Sequence, residues 1–166
     1  MCNKEIYEKI ITQIECIMAD VPSADTWKWM NRGYEELRIL ISNIPYMDIK
    51  KHFDSKKLNI RAEEMFHLAI AGCKDYKDEL NRIVENSNDV DDVFTAALGL
   101  AALNEKNAYS TLNKLCGGQH RIKTDDVFDQ LDCYIQHIKH PNALTLERIY
   151  IGNKSSYPRP ENAYKA

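Results

Sequence analysis

Apolar residues recur along this chain at intervals of three and four, the spacing that lines one side of an α-helix. Ile6, Ile10, Ile14 and Ile17, with Ile11 and Met18 beside them, predict a first helix. Val21-Pro22 ends it, because the residue before a proline is pushed out of the α region. Ser23 is placed to cap a second helix with the stripe Trp27, Met30, Tyr34, Leu37 and Ile41, and Pro45 forces its end near Ile44. Tyr46 to Lys57 has poor periodicity and clustered lysines, and reads as a loop with room for one short helix. A third long helix is expected from Asn59 to Cys73, where Ile60, Met65, Phe66, Ala69 and Ile70 make a wide apolar face and Gly72 weakens the end. Tyr76, Leu80, Ile83 and Val84 predict a shorter helix closed by Asn86, Ser87 and Asn88.

The next stretch is apolar around most of its circumference: Val90, Val93, Phe94, Ala97, Leu98 and Ala101 on one side, Leu100 and Ala102 on the other. A helix of that kind is central and covered by neighbours. Asn104 breaks the run, and Ala108, Leu112 and Leu115 predict a return helix that stops at Gly117-Gly118. Thr124 caps a further helix through Val127, Phe128, Leu131, Tyr134, Ile135 and Ile138, and Pro141 restarts the chain into a last short one with Leu144, Leu146 and Ile149. No alternating run and no hairpin turn of the Asn-Gly or Asp-Gly type competes. The expectation is an all-α fold: one domain over 1–151, about seven to eight helices stacked as antiparallel hairpins. Residues 152–166 lack apolar periodicity and read as a loosely held tail.

Composition narrows the function classes. With 166 residues and 44% hydrophobic content the chain can bury one sizeable core but not two of ordinary size. A formal net charge of -3 disfavours direct nucleic-acid binding, which draws on excess positive charge to neutralise phosphates. Cys2, Cys16, Cys73, Cys116 and Cys133 are odd in number and widely spread, and mostly occupy sites suited to small apolar residues. Cys16 lies among Ile14, Ile17 and Met18, and Cys73 follows Ala69 and Ile70, so reduced, buried thiols in a cytoplasmic protein are expected. The polar start, Met1 to Ile6, and the lack of an uninterrupted apolar run predict neither a secretory signal nor a membrane span.

Three constellations could carry chemistry or contact. Cys133, His137 and His140, with Asp129 one turn earlier, lie along one helix side as zinc or iron ligands would. The plainer reading packs Cys133 inward and sets the two histidines at the carbonyl end of the helix dipole, so no metal or cofactor is expected. The acidic pairs Glu63-Glu64, Asp91-Asp92 and Asp125-Asp126 could serve as acid and base, yet adjacent acids in a first helical turn are ordinary dipole partners. With no nucleophile, phosphate or dinucleotide signature either, the chain is expected not to be an enzyme. Trp27 and Trp29 project roughly 200° apart around a helix, so one core cannot receive both. Trp29 is either covered by another helix or exposed as an anchor of the kind enriched in binding hot spots. Between Asn88 and Asp132, eight acids (Asp89, Asp91, Asp92, Glu105, Asp125, Asp126, Asp129, Asp132) face four bases (Lys106, Lys114, Arg121, Lys123), an excess of four negative charges. If hairpins stack in parallel, their acidic starts gather at one edge and attract a cationic partner.

The hairpin-like sequence from Ala62 to Val84, the Asn88-Asp-Val-Asp-Asp-Val-Phe-Thr-Ala-Ala-Leu-Gly-Leu-Ala-Ala-Leu segment and the acidic helix start at Asp125-Asp126 give the chain a likeness in style over most of its length. It resembles the small helical immunity proteins of bacterial polymorphic-toxin and contact-dependent growth inhibition systems. That resemblance implies binding to a cognate toxin domain, often a nuclease, with its active site occluded. Partner contacts are then expected at Trp29, Asp89, Asp91, Asp92, Asp125, Asp126 and Asp129. The net charge is milder than that of the most acidic members, which leaves the partner's activity open. Two other readings compete: a helical adaptor holding an endogenous protein or peptide in a groove, and a small metalloenzyme using Cys133, His137 and His140.

Overall fold

The computed structural model describes residues 3–19 and 26–116, and every regular element among them is helical. The order is α1 (Asn3–Met18), α2 (Thr26–Ile41), α3 (Asp48–Ser55), α4 (Ala62–Ile70), α5 (Lys77–Asn86), α6 (Val90–Ala102) and α7 (Lys106–Cys116). The all-α expectation holds. The helices, tail and capping residues expected at Ser23 and beyond Cys116 lie outside the described residues.

The centre is α6. Phe94, Ala96, Ala97, Leu98, Leu100 and Ala101 are all buried, as an all-round apolar helix must be to escape water. It packs most extensively on α4 and α5, then on α7. Small residues let the helices approach: a Cβ on Gly99 would stand 3.2 Å from Leu80 Cδ1 and 3.5 Å from the Phe66 Cα. Leu80 and Gly99 lie at similar distances from the Ser87–Asp89 turn, and Lys77 at the start of α5 meets Glu105 beyond the end of α6 at 2.7 Å. Both contacts belong to an antiparallel hairpin. α1 and α2 form another, closed by Gln13 Nε2 donating to Gly33 O at 3.2 Å, with a Gly33 Cβ position only 3.0 Å from Ile17 Cγ1. This pair buries Ile10, Ile14 and Ile17 against Tyr34, Leu37 and Ile41, and reaches α4 through thinner seams. The helices thus pair as sequential hairpins, with one addition the periodicity did not show: α4 lies chiefly against α6 and only lightly against its neighbour α5.

Helix ends follow local chemistry. The carboxylate of Glu64 reaches back to accept from the Arg61 amide at 2.6 Å, so α4 starts at Ala62 rather than Asn59. Three helices close with the same pair of bonds, in which the two amides past the cap turn back onto carbonyls of the last turn. After α4 these are Cys73 N to Leu68 O (2.9 Å) and Gly72 N to Ala69 O (3.0 Å), around Gly72 at φ 94°. After α6 they are Glu105 N to Leu100 O and Asn104 N to Ala101 O, both 3.0 Å, around Asn104 at φ 64°. After α3 they are Leu58 N to Phe53 O (3.1 Å) and Lys57 N to Asp54 O (2.9 Å), around Lys57 at φ 55°. Glycine and asparagine tolerate that left-handed conformation; lysine does so at a cost.

The short helix that the Tyr46–Lys57 segment had room for is α3. Its only buried apolar residues are Ile49 and Phe53, one turn apart, which is too little to register as a period.

Candidate functional site

The acidic turn before α6 is the part of the expected contact surface that the structure describes. Asp89 has extended backbone geometry, and its Oδ1 accepts from the amides of Asp91 (2.9 Å) and Asp92 (3.2 Å), so its carboxylate is spent on capping. Asp91 and Asp92 occupy the first turn, and all three residues are exposed. Partial burial and then the charges of Asp89 and Asp91 push the Asp92 carboxyl above its ordinary value. Three negative charges crowd one helix start, and the other two oppose the ionisation of Asp92. Among the described residues, no cation pairs with Asp91 or Asp92, so a cation brought from outside would relieve that repulsion.

The remaining expected contacts are not joined to this turn. Trp29 is on the first turn of α2, with its side chain outside the described set. Asp125, Asp126 and Asp129, and with them Cys133, His137 and His140, lie outside the described residues. Of the other acidic pair, Glu64 caps α4 and Glu63 faces His67. Among the described residues no group of three or more His, Cys, Asp or Glu is placed to hold a metal ion, and no helix is long and apolar enough to cross a membrane.

Sequence reasoning missed two polar groups in the interior, His67 and Asp75. The Tyr34 hydroxyl on α2 lies 2.5 Å from His67 Nδ1 on α4, and His67 Nε2 lies 3.9 Å from Glu63 Oε1 one turn back. The second distance is too long for a hydrogen bond and is an ion pair only when the imidazole is protonated. The His67 contact, assisted by Arg61, holds the Glu63 carboxyl below the usual glutamate value against the opposing effect of burial. The available signal was a histidine inside the apolar run Phe66-His67-Leu68 with a glutamate four residues earlier.

Asp75 is different in kind. It stands between α4 and α5, yet its two oxygens accept from the Met47 amide (2.9 Å) and the Lys50 amide (3.1 Å), capping α3 from 25 and more residues away. Cys73 is beside it, and burial raises that thiol to about 12, so it is an unreactive core sulfur. Cys16, expected to be buried as well, is instead exposed, because it lies off the α1 face that Ile10, Ile14 and Ile17 bury. Lys50 joins Asp54 (2.7 Å) and Glu79 (3.5 Å), with its ammonium 5.9 Å from the centre of the Tyr76 ring. These groups fasten α3 to α5.

Compared with protein-family models, with curated proteins and with solved structures, the chain matches none.

Proposed function

We propose that this protein is an immunity protein, which binds a cognate bacterial toxin domain and occludes its active site, and which catalyses no reaction itself. The reading rests on the resemblance in the sequence, and one observation carries it: Asp91 and Asp92 stand exposed and unpaired by any described cation at the start of the most deeply packed helix. A rigid α6 holds that charge in place, so little ordering cost remains when a partner arrives. Carboxylates at such a rim steer a basic surface toward it and shift association more than dissociation. Nucleases that must bind polyanionic substrate carry such surfaces, which makes a nuclease domain the fitting partner.

The test has two parts. The tagged protein should capture a toxin domain from its native lysate, and the gene immediately upstream should encode a large protein ending in that domain. With the partner in hand, joint replacement of Asp91, Asp92, Asp125 and Asp126 by Ala should slow association roughly tenfold at low salt and flatten its salt dependence, with the helical spectrum unchanged. An unaltered association rate would refute the acidic contact. The adaptor reading has an observation of its own, since Ile39 and Tyr46 are 67% and 68% exposed and offer apolar anchors. Recovery of a housekeeping protein whose binding is abolished by Ile39→Ala with Tyr46→Ala would favour it.

A further inference from the structure

The α1–α2 hairpin reaches α4 through thin seams, and a hydrogen bond between Tyr34 and His67 crosses the α2–α4 seam. Both residues are buried, at 2% and 5% exposure. A phenol donates its hydrogen readily, so His67 Nδ1 accepts and the ring hydrogen of the neutral imidazole sits on Nε2, toward Glu63. We propose that His67 is a two-position switch. Neutral, it takes the Tyr34 hydroxyl and ties α2 to α4; protonated, it turns to Glu63 on its own helix and lets the α1–α2 hairpin loosen.

The atoms permit the exchange. A proton from solvent makes both ring nitrogens donors. The Tyr34 hydroxyl can then no longer donate to Nδ1, and the contact survives only with its roles reversed. At the other edge, Nε2 gains a full charge at 3.9 Å from a carboxylate that a ring movement of about 1 Å would bring into hydrogen-bond range. Glu63 stays ionised across the window in which histidines ordinarily change charge, because His67 and then Arg61 hold its carboxyl low.

Among the described residues, the charged groups on the surrounding elements are exposed or paired with others. On α2, Arg32, Glu35, Glu36 and Arg38 are exposed and pair among themselves. On α1, Lys4, Glu5, Glu8, Lys9 and Glu15 are exposed, as are Asp91 and Asp92 on α6. On α5, Lys77 pairs with Glu105, Glu79 with Lys50 and Arg82, and Asp78 and Glu85 are exposed. On α4 itself Glu64 is taken by Arg61. Among the described residues Tyr34 and Glu63 are therefore the ionisable groups that bear on the ring.

Amide hydrogen exchange on the full chain tests this, with α6 as the internal reference. Between about pH 7.5 and about pH 5.5, the range in which histidine titrates, exchange in α1 and α2, corrected for intrinsic rate, should rise roughly three- to tenfold relative to α6, the effect of losing one buried hydrogen bond. Imidazole nitrogen NMR should show Nδ1 passing from acceptor to protonated over the same range. Glu63→Gln, at a position exposed enough to leave folding intact, removes the alternative partner and should suppress the rise. A constant ratio of α1–α2 to α6 exchange, or the same rise in Glu63→Gln, would overturn the switch.

Discussion

The α4–α5–α6 centre and the α3 segment are held by opposite means. In the centre the contacts are apolar and close: Leu80, Gly99 and the Phe66 backbone interlock, and α6 buries a continuous run from Ala96 to Ala101. α3 buries only Ile49 and Phe53 and depends on polar bonds supplied by distant residues, Asp75 at its start and Glu79 through Lys50. It also begins after Met47 at φ 70° and ends before Lys57 at φ 55°, two side chains in a region that suits neither. Area stabilises the centre in proportion to what is buried, and many residues share it. A few directional bonds and the stack of His52 on Tyr7 of α1 stabilise α3. The centre should therefore yield only with the whole fold, whereas α3 should be open to local release.

Leu100→Ala would break the centre and gives the largest effect. Leu100 is fully buried where α6 meets its neighbours, so truncation should cost about 3 kcal/mol through lost transfer energy and the cavity left behind. Urea denaturation should show a lower midpoint with one cooperative transition, and hydrogen exchange should accelerate together in α6 and in the helices packed on it, α4, α5 and α7. Acceleration confined to α6 would show that the centre is not the shared core described above.

Asp75→Ala comes next and should separate the two regions. It strands the amides of Met47 and Lys50 in a partly buried place, at a cost of about 2 kcal/mol. The loss should appear first as faster exchange in α3, with α6 protection falling only as far as global stability does. If α3 keeps its protection, its docking comes from Ile49 and Phe53 and not from the buried carboxylate.

The same contrast explains what could be read from the sequence. The centre was legible because its chemistry is periodic: Phe94, Ala97, Leu98 and Ala101 recur at helical spacing, and Asn86, Ser87 and Asn88 mark the stop before it, although the cap itself is Asp89. The bounds of α3 were not, because the residue that caps it is Asp75, and a bond spanning 25 to 28 positions leaves no local pattern. The pairing of α4 with α6 over α5 escaped for a related reason, since it depends on Gly99 leaving room for the Phe66 backbone. Of the candidate site, Asp91 and Asp92 stand exposed on a helix start as their position implied, while Asp89 is committed to its own amides. The Tyr34–His67 bond joins positions 33 apart and becomes visible only in three dimensions.

The smallest expected effect runs in the opposite direction, and Lys57→Gly tests whether the strain at the α3 boundary is real. Gly72 and Asn104 occupy the equivalent place after α4 and α6, each making the same two return bonds, so the geometry is a common helix ending and not a peculiarity of α3. Lys57 is exposed, and none of the ion pairs among the described residues involves it, so replacement removes little beyond the crowding of its Cβ. Relief of the left-handed conformation is worth about 1–2 kcal/mol. Glycine gives part of that back by enlarging the unfolded ensemble. The net should be a stabilisation of about 0.5–1 kcal/mol, read as a higher urea midpoint at unchanged slope. If that gain appears also as slower exchange in α3 alone, the boundary limits local opening. Lys57→Ala keeps the Cβ and should gain nothing, and a gain from alanine equal to that from glycine would show that removing the charge, and not relieving the backbone, stabilised the chain.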